Sequence, residues 1–234
     1  MTIKASLLLL PAILAFFSAN AQSTTLSTTE FASQAKQNGA QLLDVRSTDE
    51  YRSGHIAQSV QADWNNAARF KDHVQYLDKS KPVYVYCAAG VRSKAAAAWL
   101  RQNGYSNVYE LNGGFNKWKA ENNPVEKIPE VPAISTGEYN QKVAAASVVL
   151  VDFSAGWCLP CRKMEPVIQQ LQTALPNTFT LVKIDAGTQA ALLKEMQVTD
   201  IPAFILYKNG KAVWRKAGVL SLEELKKEIT GNKR

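Results

Sequence analysis

The sequence predicts two consecutive α/β domains joined by a proline-rich linker. On both sides of the linker, short apolar segments typical of strands alternate with segments of helical periodicity, as in α/β folds with mostly parallel sheets. Pro124, Pro129 and Pro132 lie close together between the two halves, and prolines so spaced stiffen a chain and discourage helix. The boundaries that follow are a first domain over 22–122, a linker over 123–135 and a second domain over 136–234.

The periodicity of the first domain predicts four helices and four strands. Ser27 and Glu30 have the spacing of a capping box, which places a helix start at that point. Asn103-Gly104 is a typical helix end and closes the alanine-rich helix. The predicted helices cover 27–37, 67–77, 93–102 and 115–121, and the predicted strands cover 41–45, 59–62, 82–86 and 108–111.

The second domain is predicted in the same way. Asn209-Gly210 between two apolar runs is a strong hairpin signal, and Ser221 is a favourable N-cap for a last helix. The predicted strands cover 148–153, 179–184, 204–207 and 212–215, and the remaining helices cover 158–173 and 188–196.

Length, charge and composition limit the classes of function that this protein can have. The 234 residues suffice for two ordinary cores, and the net charge of +7 is spread over both halves. Because no run of consecutive basic residues exceeds two, we do not expect nucleic-acid binding. A zinc site needs four ligands, but the chain has no second closely spaced cysteine pair, and its two histidines lie far upstream of Cys158 and Cys161, so we expect neither a metal nor a cofactor.

The N-terminus has the pattern of a secretory signal. Lys4 supplies the positive start, residues 5–17 are apolar apart from Ser6, and Ala19-Asn20-Ala21 is a small-x-small cleavage site. The apolar run is shorter than the roughly 20 residues that a membrane-spanning helix needs. We therefore expect residues 1–21 to be a signal peptide and the mature protein to be periplasmic.

Two of the cysteines form the segment Trp157-Cys158-Leu159-Pro160-Cys161, which follows a buried strand and opens a helix. Unpaired N–H groups and the helix dipole favour a thiolate at Cys158. The spacing keeps Cys161 within reach to resolve a mixed disulfide. A structural disulfide or half of a zinc site is the alternative, but the sequence lacks a second pair of ligands. We predict a redox-active dithiol.

The third cysteine, Cys87, ends a strand and precedes a short loop and a helix. Successive N–H groups of such a loop can point inward and, with the helix dipole, stabilise an anion. Gly90 permits close backbone approach, and Arg92 adds a fixed cation. A small buried cysteine after a core strand is the alternative. The predicted catalytic cysteine and its cradle are Cys87, Ala88, Ala89, Gly90, Val91, Arg92 and Ser93.

The first domain resembles the rhodanese family of sulfurtransferases. The resemblance rests on four segments spread over nearly the whole domain, at 42–46, 50–56, 87–93 and 111–118. It implies that Cys87 accepts a sulfane sulfur, holds it as a persulfide and passes it to an acceptor thiol. It also implies that Asp44, Arg46 and Glu50 form a structural polar cluster beneath the loop.

The rhodanese family also contains phosphatases, whose loop has one more residue between cysteine and arginine. The shorter loop from Cys87 to Arg92 suits a sulfur atom better than a tetrahedral phosphate, which favours sulfur transfer. Ala88 and Ala89 offer no charge, so Arg92 and backbone amides must bind the donor. We expect that donor to be thiosulfate or polysulfide.

The second domain resembles thioredoxin over residues 136–231. The matching segments, in the family's order and spacing, are 151–153, 157–161, 183–185, 200–202, 208–210 and 218–221. The resemblance implies a cis peptide before Pro202 and pairing of the Ile201 backbone with an extended client. It also implies that Asp152 assists deprotonation of Cys161 and that Lys183 moderates its charge, with Trp157 supporting the dithiol.

One residue of the redox segment departs from thioredoxin. Leu159 stands where that family usually has glycine, and residues between the cysteines tune the reduction potential. Strongly oxidising periplasmic members of the superfamily have a histidine between the cysteines, and this domain contains none. Together with Asp152 and Lys183, this favours a reductant.

The two chemistries combine into one leading hypothesis. Cys87 acquires a sulfane sulfur, Cys158 attacks the persulfide, Cys161 resolves the intermediate, and sulfide leaves. The expected partners are a sulfane-sulfur donor, a thiol acceptor, a membrane thiol-electron carrier as reductant, and clients with disulfides or persulfides. The alternative is a periplasmic disulfide reductase or isomerase whose first domain only binds clients.

Overall fold

The computed structural model describes residues 24–37 and 39–231, so the predicted signal peptide lies outside the described residues. The first domain alternates five strands with five helices. Within the described ranges, no helix has the length and apolar character needed to cross a membrane. The elements are β1 Thr25–Leu26, α1 Thr28–Gln34, β2 Gln41–Asp44, α2 Thr48–Arg52, β3 Val60–Gln61, α3 Ala67–Val74, β4 Val83–Tyr86, α4 Val91–Gln102, β5 Val108–Leu111 and α5 Gly114–Ala120.

The first sheet is parallel throughout, with the strand order β1-β5-β4-β2-β3. Successive strand residues point to opposite faces, so Leu43 and Val85 join one core cluster while Leu42 and Tyr84 join the other. Burial on both faces is the rule for parallel sheets. The predicted parallel α/β domain is confirmed, and Cys87 follows β4, the central strand.

Several first-domain elements differ from the prediction. Helix α4 begins at Val91, two residues earlier than expected, because Gly90 adopts a left-handed conformation at φ 97° and serves as its N-cap. Strand β1 and helix α2 were not predicted, and neither was α6 at the start of the second domain. The strand and α2 are too short to show a period, and pairing with β5 fixes β1.

The second domain has a mixed sheet in the order β7-β6-β8-β9. Strands β6 and β7 are parallel, whereas β6–β8 and β8–β9 are antiparallel. Alternate residues again serve two clusters, with Val151 and Phe153 on one face and Leu150 on the other. The elements are α6 Thr136–Ala144, β6 Val148–Ser154, α7 Leu159–Ala174, β7 Thr180–Asp185, α8 Ala190–Glu195, β8 Ala203–Lys208, β9 Lys211–Ala217 and α9 Leu222–Thr230.

Local sequence signals explain where several elements begin and turn. The capping box of Ser27 and Glu30 is present, and Ser221 caps α9 as predicted. The hairpin between β8 and β9 turns at Asn209 and Gly210, whose φ angles are 50° and 74°. Two successive residues with positive φ are the signature of the tight hairpin that asparagine–glycine favours.

The predicted linker is held at both ends. Glu126 and His55 exchange two backbone hydrogen bonds of 2.8 and 2.9 Å, and Trp118 Nε1 donates to Pro124 O at 2.8 Å. At the other end, Ile134 N donates to the side-chain oxygen of Gln189 at 2.7 Å. The first third of the predicted linker therefore packs on the first domain.

Candidate active sites

The Cys87 sulfur lies inside the loop that joins β4 to α4. Gly90 N–H donates to Cys87 Sγ at 3.2 Å, and the Ser93 hydroxyl lies 3.4 Å from the same sulfur. Burial by itself would raise the pKa of Cys87. Hydrogen bonds from the Ser93 hydroxyl and from the N–H groups of Ser93, Ala89 and Gly90 outweigh burial and lower that pKa below its usual value. The cradle thus favours a thiolate or a persulfide anion.

Helix α5 contacts the Cys87 loop through two backbone hydrogen bonds. Phe115 N–H donates to Cys87 O at 2.8 Å, and Asn116 N–H donates to Ala88 O at 2.9 Å. This approach requires a glycine at 114, because a Cβ there would lie 2.5 Å from Cys87 O. Gly114 also has a φ of +61°, which glycine adopts without strain. Sequence analysis placed this glycine in a matching segment without assigning it a role.

Arg92, which was predicted to bind the donor, forms an ion pair with Glu50. Its guanidinium makes two hydrogen bonds of 2.7 Å to the carboxylate of Glu50, in a bidentate pair. That pair lowers the pKa of Glu50 to about 2. The predicted role of Arg92 in binding the donor stays a prediction, and any donor would meet a guanidinium that already pairs with Glu50.

The predicted polar cluster divides into two separate pairs. Asp44 and Arg46 are both buried and form a bidentate pair, with Arg46 Nε 2.9 Å from each carboxylate oxygen. Arg46 also donates to Gly54 O at 2.7 Å, and its guanidinium carbon lies 4.1 Å from the Phe115 ring centroid. Glu50 belongs to the Arg92 pair instead. Each of the two pairs has no net charge, and together they connect the Cys87 loop with α2 and α5.

The remaining predicted loop residues have different exposures. Ala88 is half-buried, and the side chain of Val91 is 79% exposed at the first position of α4. Val91 therefore lies at the rim, and its contribution to the cradle is limited to its backbone. The roles predicted for these residues in binding a donor stay predictions.

The second site is the predicted dithiol at the start of α7. Cys158 is the N-cap of this helix, and Cys158 and Cys161 form a disulfide with an S–S distance of 2.09 Å. Cys161 N–H donates to Cys158 Sγ at 3.2 Å, and Ile201 O lies 3.7 Å from that sulfur. The peptide between Ile201 and Pro202 is cis, as the resemblance to thioredoxin implied. The arrangement supports thiol–disulfide exchange.

Asp152 lies in the middle of β6 and is buried, with 4% of its surface exposed. Burial raises the pKa of Asp152 to about 6, although hydrogen bonding with Ser154 and the charge of Lys183 oppose the shift. Lys183 lies opposite it in the register of β6 and β7. A carboxyl that titrates near neutrality is suited to accept and return a proton. Sequence analysis had not singled out Ser154.

The two sites do not meet. Cys87 belongs to the main core cluster of the first domain, whereas Cys158 and Cys161 belong to a small cluster with Ala155 and Ala186. The contacts described for each sulfur come from its own domain.

The dithiol instead faces α2, β3 and α3 of the first domain. Gln61 N–H donates to Trp157 O at 3.1 Å, the Trp157 ring lies 5.6 Å from the ring of Tyr51, and Leu159 packs against the first core. Two arginines reach the same surface: Arg52 donates to Ala186 O, and Arg69 donates to Thr199 O and, at 2.6 Å, to Asp200. We call these contacts the docking face.

The docking face lies next to the dithiol, which is buried. Cys158 has no exposed surface and Cys161 has 4% exposed. The contacts use Trp157, predicted to support the dithiol, and the segment before Pro202, to which the resemblance to thioredoxin assigns client binding. Sequence analysis missed the face, since Arg69 and Asp200 are separated by 131 positions and carry no local signal.

Comparison with known proteins agrees with this division. The profile of the rhodanese-like domain matches residues 27–121, and the profile of thioredoxin matches residues 130–231. The thiosulfate sulfurtransferase GlpE of Pseudomonas paraeruginosa is 38% identical over 91 residues, which are 39% of this chain and 80% of that protein. GlpE of Pseudomonas savastanoi pv. phaseolicola is 40% identical over 91 residues, covering 39% and 83%.

The second domain has relatives of its own. The chloroplastic thioredoxin X of Arabidopsis thaliana is 31% identical over 128 residues, which are 53% of this chain and 70% of that protein. The motifs, the two folds and these relatives give one conclusion. The chain belongs to both the rhodanese and the thioredoxin families, with a rhodanese-like sulfurtransferase domain followed by a thioredoxin domain.

Proposed function

We propose that the protein is a periplasmic sulfurtransferase that uses its own dithiol to reduce the sulfur it carries. The observation that supports this most is the cradle at Cys87, where hydrogen bonds to the sulfur outweigh burial and lower the thiol pKa. A sulfur so placed can stay anionic as a persulfide. The second domain supplies the two electrons that release the sulfur as sulfide.

The proposed cycle has two transfers and one resolution. The Cys87 thiolate attacks the sulfane sulfur of the donor, forming a Cys87 persulfide and expelling the rest of the donor with the electron pair. The Cys158 thiolate then attacks the outer sulfur, which forms a Cys158 persulfide and frees the Cys87 thiolate. Cys161, deprotonated with the help of Asp152, attacks Cys158 Sγ and expels hydrosulfide. The Cys158–Cys161 disulfide remains.

The disulfide must be reduced again before the next turnover. In a periplasmic location the electrons would come from a membrane thiol-electron carrier, which reduces the disulfide by thiol exchange. Because Cys158 is fully buried and the first domain contacts the neighbouring Trp157, we propose that the domains separate both for sulfur transfer and for this reduction. The linker between 127 and 133 lies between the two anchored ends and is the place for that movement.

Intact-mass measurement tests the sulfurtransferase half. The reduced Cys158→Ser variant, which cannot carry out the second transfer, is incubated with thiosulfate or polysulfide, and the expected result is a gain of one sulfur atom that maps to Cys87 and is absent when Cys87→Ser is also present. If neither donor adds sulfur to Cys87, the proposal is wrong. Reduction of a disulfide-containing client by Cys87→Ser at the wild-type rate would then favour the alternative, a reductase whose first domain binds clients.

A further inference from the structure

Leu159 is the residue of the redox segment that departs from the thioredoxin pattern, and the fold places it at the contact between the domains. It is the first residue of α7, it is half-buried, and it packs against the main core cluster of the first domain. All buried members of that cluster lie within residues 43–108. Helices α3 and α7 are neighbours across the same contact. A side chain that stands between the two cysteines therefore joins the second domain to the first.

The polar contacts of the docking face depend little on the side chains of the second domain. Three of them end on main-chain oxygens, those of Trp157, Ala186 and Thr199. Every residue has such an oxygen, so these hydrogen bonds orient the domains without selecting a side chain. The Arg69–Asp200 pair is partly exposed, at 32% and 57% of the two side chains, and such pairs contribute little. Selection of the first domain therefore falls largely on the apolar part of the contact.

The first domain occupies the surface on which a protein client is expected to bind. The resemblance to thioredoxin assigns client pairing to the backbone of Ile201, and Arg69 contacts the two residues directly before it. Ile201 and Trp157 also line one cavity together with residues of the first domain. Cys158 has no exposed surface in this arrangement. Because two folded domains cannot occupy one surface, a protein client has to displace the first domain to reach Cys158.

We propose that Leu159 is a specificity-determining residue, which anchors the first domain on the second so that it competes with foreign protein disulfides for the dithiol. The competitor belongs to the same chain, so its effective concentration is set by the linker and is not lowered by dilution. The dithiol thereby reacts slowly with unrelated disulfide proteins. Docking makes and breaks no covalent bond, and the inference holds whether or not Cys87 carries sulfur.

Amide hydrogen exchange at Gln61 tests the anchor, because this N–H donates to Trp157 O across the two domains. Exchange is followed by NMR in the oxidised mature protein, for wild type and Leu159→Ala. Truncation of a half-buried leucine should speed exchange at Gln61 about three- to tenfold. The Ala62 N–H, which donates to Asp44 O within the first domain, should exchange at the wild-type rate. A change in reduction potential alone would alter neither amide.

Reduction of insulin tests the competition. All proteins carry Cys87→Ser, so that sulfur chemistry at this position does not contribute, and the second-order rate with insulin disulfides is measured for the reduced forms. Leu159→Ala should raise this rate about three- to tenfold, and Leu159→Met, which conserves the apolar volume, should keep it. Leu222→Ala is the matched control, because Leu222 is the half-buried first residue of α9 and packs within the second domain.

The inference requires both effects of Leu159→Ala. Unchanged exchange at Gln61 overturns it, even if insulin is reduced faster, because the faster reaction would then come from the reduction potential. An unchanged insulin rate overturns it as well. Since the Cys87→Ser proteins cannot carry sulfur at this position, failure of the proposed sulfurtransferase activity leaves both results unaffected.

Discussion

The two cysteine sites of this protein have similar backbone settings, but they differ in whether the charged side chains around them are paired. Both place a sulfur after a strand and at the start of a helix, where N–H groups favour an anion. Around Cys87 the charged side chains are paired, with Asp44 on Arg46 and Glu50 on Arg92. Near the dithiol, Asp152 is buried, and one of its carboxylate oxygens has no hydrogen-bond partner.

This difference suits two tasks. Around Cys87, the charged side chains stay in ion pairs, so the electrostatic field at a bound persulfide stays constant. A site with a carboxyl whose pKa is about 6 can exchange a proton during thiol exchange. The first site is therefore expected to depend on its geometry, and the second on the ionisation of a single group.

The strongest test of the geometric site is Gly114→Ala. The new Cβ would lie 2.5 Å from Cys87 O and 2.8 Å from the Ala88 carbonyl, at a backbone φ of +61°. We expect a loss of about 3 kcal/mol in unfolding free energy and loss of sulfur loading on Cys87. Chemical denaturation and intact mass measure the two effects.

Gly137→Ala serves as the matched control for that substitution. Gly137 lies in helix α6, and the nearest atom to its added Cβ is Ser135 Oγ at 3.9 Å. A helical alanine there should stabilise the protein by about 0.5–1 kcal/mol. Equal effects of the two variants would show that the contact of α5 with the loop is unimportant.

The sharpest test of the proton-exchanging site is Asp152→Asn. Folding raises the pKa of Asp152 from 3.8 to about 6, so the folded state holds this proton more tightly than the unfolded chain. Stability is therefore lost as pH rises between about 4 and 6. A difference of about two pKa units, at about 1.4 kcal/mol per unit, amounts to about 3 kcal/mol. The asparagine variant should therefore be more stable than wild type by about 3 kcal/mol at pH 8.

The same variant should gain little at pH 4, where the aspartic acid of the folded protein is protonated. Denaturation curves at both pH values measure the difference. A gain at pH 8 no larger than that at pH 4 would contradict the raised pKa and, with it, the contrast between the two sites.

A smaller effect is expected from Ser93→Ala. The Ser93 hydroxyl contacts the Cys87 sulfur and lowers its pKa, so its removal should raise the pH midpoint of sulfur loading. Ser106→Ala, at an exposed serine of the same domain, is the control. The midpoint is read from loading rates across pH. An unchanged midpoint in Ser93→Ala would place the stabilisation in the backbone alone.

The smallest predicted effect concerns the docking face. The Arg69–Asp200 pair is partly exposed, and such pairs contribute up to about 1 kcal/mol. Arg69→Asp and Asp200→Arg should each speed reduction of the Cys158–Cys161 disulfide by dithiothreitol about two- to fivefold, because the covering domain separates more often. The double variant, which restores the pair in reverse, should return to the wild-type rate.

A surface pair away from the docking face provides the control. Lys216 pairs with Glu224 on the second domain, and Lys216→Glu should leave the reduction rate unchanged. Failure of the reversed pair to restore slow reduction would show that Arg69 and Asp200 do not act through each other.

Local signals account for what the sequence could predict here. The capping box at Ser27, the hairpin at Asn209-Gly210 and the cysteine at the start of α7 each depend on residues a few positions apart. The start of α4 was misplaced because the left-handed Gly90 lets the helix begin at Val91, an apolar residue that faces solvent.

Contacts between distant residues were beyond sequence reasoning. The ion pair of Arg92 with Glu50, which lies 42 positions earlier, was not predicted from the sequence. The docking face likewise arises from pairings that only the assembled fold creates. The residues next to Cys87 could be predicted from the sequence, whereas the distant residues that contact them could not.

Single-turnover chemistry tests the central claim most directly. The mature protein is reduced, freed of reductant and mixed with one equivalent of thiosulfate, and sulfite, sulfide and disulfide are measured over time. We predict that wild type releases sulfite and then sulfide while Cys158 and Cys161 become oxidised. Cys87→Ser should release neither, and Cys158→Ser should release sulfite but retain the persulfide. Sulfide release by Cys158→Ser at the wild-type rate would contradict the account.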